Sequence, residues 1–185
     1  MVGGAYSGDR EVSEAGWSGM LDSLEAIGNV DPSREEPAVA EKTEGSITIK
    51  ASAEDVMAII EDYENYPKWN DLKSVKVMKK DSKGRGSEVE MQLKAPVIGE
   101  VRYVLKYSYK ANNGGVSWTT KEIEGGLKDI KGEYKLDELA EDETKVTYSM
   151  SIELKAKVPG FLRRQGEKAI VDGALKGLKK RVESG

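Results

Sequence analysis

Residues 159–183 read PGFLRRQGEKAIVDGALKGLKKRVE, and this stretch predicts one long helix near the end of the chain. About 24 residues at ~1.5 Å each span ~36 Å, which is enough to cross a whole sheet. Small and apolar side chains form one stripe of the helix, and the bases lie mostly off it. The stripe consists of Leu162, Gly166, Ala169, Ile170, Gly173, Ala174, Gly177, Leu178 and Val182.

The segments before this helix predict an antiparallel sheet with one apolar face. Six runs between residues 75 and 154 alternate apolar and polar side chains, and glycine-rich turns separate several of them. An earlier strand contains Ile47 and Ile49, and Ser52 with Asp55 forms a capping box that opens a helix. A second short helical turn starts near Tyr66. We therefore expect an α+β domain: a curved seven-stranded sheet, two short helices after strand 1, and the last helix in its concavity.

The composition lacks the two side chains on which catalysis most often depends. The chain has no Cys and no His, which excludes disulfides, thiol nucleophiles, His-based triads and the usual zinc and iron sites. The loop pattern of a calcium-binding hand is also absent, as is a glycine-rich phosphate loop between a strand and a helix. We therefore predict no catalytic residue, no metal site and no cofactor, and an enzyme is the less favoured interpretation.

The charge is unevenly divided along the chain. Residues 1–42 hold nine acids and three bases, a net charge of −6, whereas residues 43–185 hold 24 acids and 26 bases, a net charge of +2. We interpret residues 1–42 as an acidic, mainly flexible arm and residues 43–185 as the folded domain. Within the arm, residues 13–28 allow two interpretations: a transient helix in a disordered tail, or a short amphipathic helix that docks on the body or on a partner. Its apolar face consists of Trp17, Met20, Leu21, Leu24 and Ile27.

The sequence shows neither a membrane-spanning segment nor a secretory signal. There is no run of ~20 apolar residues that could span a membrane and no basic region followed by an apolar run at the N-terminus. We expect a cytoplasmic protein that is a monomer or weak dimer. Residues 155–181 contain nine bases and two acids, which leaves a macromolecule-binding role open. Nucleic acid is not the expected partner, because aromatic side chains are not interleaved with these bases.

The small residues of the last helix allow two interpretations. Either they let the aromatic side chains of the sheet approach the helix closely, or they leave a cavity between helix and sheet. Both remain open at the level of sequence, since each glycine in a helix weakens it by roughly 1 kcal/mol and needs a compensating reason.

Six segments, taken in their order and spacing, resemble the START-like, helix-grip superfamily, also called SRPBCC. The resemblance covers residues 44–184 and is strongest to its group of polyketide cyclase/dehydrase and lipid-transport-like proteins. It implies a hydrophobic cavity below the last helix that takes lipids, sterols, polyketides or similar molecules. The segments are residues 49–57, 66–69, 116–118, 132–136, 144–148 and 174–183.

The predicted function is binding of a small hydrophobic ligand, as a carrier or in sequestration or sensing. One alternative is a polyketide cyclase or aromatase that uses Tyr103, Tyr107, Arg102 and Asp129, although the last two are more typical of surface charges. Pro96–Gly99 and residues 125–126 are the loops expected to move on ligand release. The candidate ligand-binding residues are Val56, Ile60, Met91, Tyr103, Tyr107, Trp118, Ile130, Tyr134, Met150, Ile170 and Ala174.

Overall fold

The computed structural model describes residues 42–70, 72–95 and 99–184, and its alternating segments form one antiparallel sheet. The order across the sheet is β1-β7-β6-β5-β4-β3-β2, so the first strand lies beside the last. The strands are β1 (Thr43–Ile49), β2 (Ser74–Lys80), β3 (Gly86–Ala95), β4 (Gly99–Tyr109), β5 (Gly115–Glu124), β6 (Leu127–Ala140) and β7 (Glu143–Leu154).

Two short helical segments follow β1, as predicted. Helix α1 (Ala53–Glu61) begins at Ser52, whose side chain accepts a hydrogen bond of 3.1 Å from the Asp55 backbone N–H and donates one of 2.7 Å to its carboxylate. This satisfies an N–H group that has no partner inside the helix. A 3-10 helix (Tyr63–Lys68) follows directly and carries the chain to the start of β2.

The last helix, α2 (Gly160–Ser184), has 25 residues and runs beside β1. At one end a Cβ on Gly45 would lie 2.8 Å from a methyl carbon of Val171, so glycine at this position lets strand and helix approach closely. At the other end the Lys179 ammonium donates to the Thr48 carbonyl at 2.6 Å, and the Lys50 N–H donates to Glu183. The predicted helix-grip fold, with a long helix packed on a seven-stranded sheet, is confirmed.

The buried face of α2 differs from the predicted stripe. Val171 and Leu175 are buried against β1, although neither belongs to the stripe. A Cβ on Gly173, which does belong to it, would meet no atom within 4 Å. Contact with β1 therefore turns the larger side chains toward that strand. Part of the small-residue stripe is left with open space in front of it.

The opposite face of the sheet is less regular than simple alternation predicts. Val104 lies on the predicted polar face, yet it is buried and belongs to no part of the main core. Its neighbours across the sheet are Glu90 and Glu122, and Arg102 forms ion pairs with both. The stems of such long charged side chains can cover a single apolar residue on an otherwise polar face.

Two predictions fall partly or wholly outside the described residues. The amphipathic segment at residues 13–28 lies there completely, and so do residues 96–98 of one predicted mobile loop. In the part that the structure describes, no helix is long and apolar enough to cross a membrane.

Candidate ligand-binding site

All eleven predicted ligand-binding residues meet between the sheet and α2. Nine of them, from α1 and from β3 to β7, are buried in one apolar cluster. The other two, Ile170 and Ala174 of α2, are only partly buried and pack against that cluster. The structure thus brings together every member of the predicted set, and the two members on α2 are its least buried ones.

Aromatic rings form a continuous chain through this cluster. Tyr63 of the 3-10 helix lies 4.9 Å from Tyr107, measured between ring centroids, and Tyr107 lies 5.9 Å from Trp118. Trp118 in turn contacts Tyr134 and Tyr148, whose own rings are stacked with centroids 4.5 Å apart. Such tilted and stacked pairs each add a modest stabilisation beyond the burial of area.

A glycine in β6 makes room for this arrangement. Gly132 lies directly opposite Trp118 in the sheet register. A Cβ at position 132 would come within 2.5 Å of the indole ring and 2.7 Å of the Ser149 carbonyl oxygen. The indole can approach the β6 backbone this closely only because residue 132 has no side chain.

Some tyrosine hydroxyls in the cluster are paired and others are not. Tyr66 donates to the Ile60 carbonyl at 2.6 Å, and Tyr63 donates to Tyr109, which donates to the Gly86 carbonyl. Within the described residues, the hydroxyls of four others make no hydrogen bond. These are the hydroxyls of Tyr103, Tyr107, Tyr134 and Tyr148.

This combination places polar groups inside an apolar cluster. The four tyrosines are between 7% and 9% exposed, yet their hydroxyls have no partner among the described residues. Buried polar groups normally have a hydrogen-bond partner. Unpaired hydroxyls can therefore bond to a ligand or to water, and a few such groups in an apolar lining are typical of small-molecule sites.

The tyrosines are uncharged across the neutral pH range. Burial raises the pKa of Tyr103 and Tyr134 well above the ordinary value, and burial with neighbouring phenols does the same for Tyr66, Tyr107 and Tyr148. For Tyr109, which is nearer the surface, burial raises the pKa to about 12. At neutral pH the lining therefore consists of neutral donors and carries no phenolate that could act as a base.

These shifts predict how the protein responds to alkaline pH. The phenols have an ordinary pKa of 10.0, and burial raises it in the folded state. Their contribution to stability is therefore complete below about pH 10 and is lost as the pH rises toward the folded pKa values. In a Tyr6→Phe variant, which retains only the seven described tyrosines, we expect little phenolate absorbance at 295 nm up to about pH 11, followed by a steep rise that coincides with unfolding.

The same titration in guanidinium chloride provides the reference, because all tyrosines should then ionise near pH 10. A gradual rise in absorbance near pH 10 by the folded protein, with its circular dichroism unchanged, would contradict the burial of these rings.

Two residues of the alternative catalytic set lie away from this space. Arg102 is on the opposite face of the sheet, where it pairs with Glu90, Glu122 and Glu124. Asp129 pairs with Lys131 at 2.7 Å, and the pKa of its carboxyl group is lowered, since hydrogen bonds from Lys131 and Thr120 outweigh the effect of burial. Their interpretation as surface charges agrees with this placement.

One buried charged residue on α2 has no counterpart among the predictions. Glu167 is 2% exposed, and its carboxylate accepts hydrogen bonds from the Thr43 hydroxyl at 2.6 Å and the Ile152 N–H at 3.0 Å. Ile152 lies beyond the last residue of β7 that pairs with β1. Glu167 thus satisfies an N–H at the free edge of β7 and ties α2 to two strands at once.

The sequence partly indicates the burial of the cluster residues that are missing from the predicted set. Tyr148 is two residues from both Val146 and Met150 in the last strand, so all three were predicted to lie on the same face. Its contact with Trp118 was not predictable. Tyr63 continues the helical spacing of Val56 and Ile60, so its burial was also predictable. Nothing in the sequence distinguishes Glu167 from the exposed charges around it.

A separate groove lies on the outer surface between the start of α1, the β6–β7 turn and the end of α2. Its volume is about 540 Å³, and its lining mixes charged residues such as Lys50, Asp55 and Arg181 with small apolar ones. None of the eleven predicted residues lines it. In the part of the chain that the structure describes, no cluster of acidic side chains is placed to hold a metal ion.

Comparison with known proteins places this architecture in a family. A family model described as polyketide cyclase/dehydrase and lipid transport matches residues 40–183. The chain belongs to that family. The match covers the sheet and both helices, and the START-like assignment made from the sequence is confirmed. Comparison with curated proteins gives no match.

Solved structures similar to this family member share its fold. A START superfamily protein from Mycobacterium smegmatis superposes with a TM-score of 0.70 at 22% identity, over 77% of this chain and 97% of its own. A STAR-related lipid transfer protein from Xanthomonas axonopodis gives 0.59 at 21% identity, over 81% and 90%.

A third similar structure is an enzyme of polyketide chemistry. The Zhui aromatase/cyclase from Streptomyces sp. R1128 gives a TM-score of 0.63 at 13% identity, over 77% of this chain and 93% of its own. The family and these structures together support START-like ligand binding or polyketide cyclase activity, without distinguishing between them.

Proposed function

We propose that this protein binds a small hydrophobic ligand between its sheet and α2, without chemically changing it. The observation that carries the proposal is the set of four buried tyrosines whose hydroxyls have no hydrogen-bond partner among the described residues. Ile170 and Ala174 form the opposite wall and are only partly buried. An apolar space with a few polar groups that fix orientation is suited to a ligand with a large apolar surface and some oxygen atoms.

Binding without turnover is favoured over cyclase chemistry by the charges of the site. Proton transfer near neutral pH needs a group whose pKa lies near that pH. Burial has raised the pKa of Tyr103 and Tyr107, and neither Arg102 nor Asp129 faces the ligand space. The tyrosines can donate hydrogen bonds to a ligand oxygen, which supports orientation and not catalysis.

We propose residues 43–185 as the ligand-binding domain and a monomer or weak dimer in the cytoplasm as its working form. Release would need movement near residues 125–126, where the turn is held to the rest of the domain by a hydrogen bond from the Lys155 N–H to the Gly126 carbonyl.

A substitution that fills the space tests the proposal. N-phenyl-1-naphthylamine, a neutral dye that fluoresces in apolar surroundings, should bind the wild-type protein. Ala174→Trp should weaken that binding at least about tenfold, because an indole would occupy the space in front of Ala174. Fluorescence titration measures the affinity, and thermal unfolding checks that the variant is folded.

The matched control is Lys176→Trp, which adds the same indole on the exposed side of the same helix. This variant should bind the dye like the wild type. Equal binding by a folded Ala174→Trp variant would mean that the dye does not lie below α2, and the proposed site would be wrong.

A further inference from the structure

One arginine on α2 has a buried nitrogen without a hydrogen-bond partner. In the described part of the chain, the Nε of Arg163 is the one buried side-chain nitrogen or oxygen that has no hydrogen-bond partner. Native structures rarely leave such a group unsatisfied, so each case needs an explanation. The side chain as a whole is 21% exposed, so other atoms of this residue reach the surface although Nε does not.

Arg163 shares a helix face with two residues of the proposed site. It precedes Ile170 by seven residues and Ala174 by eleven, which puts the three side chains on one line of the helix. Ile170 and Ala174 form the helix side of the proposed site. Arg163 therefore lies at the end of the same wall, in the first turn of α2.

The contacts of the next helical turn locate Arg163 along the sheet. Glu167, four residues later, bonds to Ile152 of β7. Since α2 runs in the opposite direction to β7, Arg163 lies near the end of β7, at Leu154 and the Gly125–Gly126 turn. Tyr148 is six residues further back in the strand, or about 20 Å at ~3.4 Å per residue.

Glu167 does not use the donors of Arg163. Its nearer oxygen lies 3.9 Å from the arginine Nε, too far for a hydrogen bond, and its two oxygens accept from Ile152 and Thr43 instead. The two opposite charges balance, yet the planar guanidinium keeps its N–H groups for another acceptor. An arginine fork of this kind matches the geometry of a carboxylate or a similar oxyanion.

We propose that Arg163 binds the oxyanion head of an amphipathic ligand whose apolar body extends along Ile170 and Ala174 toward the aromatic rings. This inference rests on the proposed binding function and adds the chemical class of the ligand: an acid with an apolar body, up to about 20 Å long. The tyrosine hydroxyls at the far end would then meet oxygen substituents of the body.

Two dyes that differ in one group separate this inference from the binding function itself. Anilinonaphthalene sulfonate is N-phenyl-1-naphthylamine with a sulfonate added. In the full-length protein, Arg163→Met should weaken binding of the sulfonate dye about tenfold, since a charge-assisted hydrogen bond is lost. Binding of the neutral dye should change less than about twofold. Arg163→Lys keeps the charge but not the fork, and should give an intermediate result for the sulfonate dye.

The control variant is Lys168→Gln, which removes one positive charge from the exposed side of the same helix. It should leave both affinities unchanged, and thermal unfolding should show all variants folded. Equal weakening by Lys168→Gln and Arg163→Met would show a general charge effect and overturn the inference, as would loss of both dyes in Arg163→Met and Arg163→Lys. Failure of both dyes to bind the wild type would contradict the binding function, and the inference with it.

Discussion

Replacing Glu167 with leucine is expected to lower the free energy of unfolding by about 4 kcal/mol. The carboxylate is 2% exposed and accepts hydrogen bonds from Thr43 and Ile152, so its removal leaves two donors without a partner. It also leaves Arg163 without the only opposite charge within 4.0 Å among the described residues. Urea unfolding followed by tryptophan fluorescence measures the loss.

Two further variants show whether the effect comes from the carboxylate. Glu167→Gln retains a carbonyl acceptor and nearly the same shape, and we expect it to lose about half as much stability as the leucine variant. Lys168→Leu places the same side chain one residue further on, on the exposed face, and should change stability by less than about 0.5 kcal/mol. A leucine variant at position 167 as stable as the wild type would mean that Glu167 does not hold α2 to the sheet.

Replacing Gly132 with alanine is expected to lower the free energy of unfolding by about 3 kcal/mol. The added methyl group would lie 2.5 Å from the Trp118 indole and 2.7 Å from the Ser149 carbonyl oxygen. The indole cannot simply move aside, because Tyr107, Tyr134 and Tyr148 surround it. The near-ultraviolet circular dichroism of the variant should also change as Trp118 shifts.

Gly173→Ala makes the same chemical change where there is room for it. A Cβ at this position meets nothing within 4 Å, and alanine is a better helix former than glycine. We expect this control to raise the free energy of unfolding by up to about 1 kcal/mol. If Gly132→Ala instead resembled Gly173→Ala, Trp118 would not lie against the backbone of β6.

These variants distinguish effects on the protein scaffold from effects on the ligand-binding site. Substitutions of Gly132 and Glu167 change the scaffold, since Gly132 makes room for the indole and Glu167 holds α2 to β1 and β7. Substitutions of Ala174 and Arg163 change the ligand-binding site. A change in dye binding with unchanged stability can therefore be assigned to the site, whereas a parallel loss of both points to the scaffold.

Much of the site followed from local sequence patterns. Residues such as Tyr103 and Tyr107 alternate with polar neighbours, and a period of two assigns them to one face of a strand. Ser52 and Asp55 mark the start of α1 by a local hydrogen-bonding pattern, which the structure confirms. These predictions succeeded because each depends on residues only a few positions apart.

Contacts between distant segments did not follow in the same way. Thr43 and Glu167 are 124 residues apart in the chain, and no local pattern pairs them. The rotation of α2 was also not predictable, because its small residues allow several faces to approach the sheet. Packing of Val171 and Leu175 beside Gly45 selects one of them.

Local sequence patterns established the element order, the apolar face of the sheet and most members of the aromatic cluster, although not Tyr63 and Tyr148, since hydrophobic periodicity and capping are local properties. Packing of the whole chain established which hydroxyls stay unpaired, that Glu167 is buried and that Arg163 shares a line with Ile170. Burial and hydrogen-bond satisfaction depend on what the rest of the chain places opposite each group. A residue's own neighbours in sequence do not specify that.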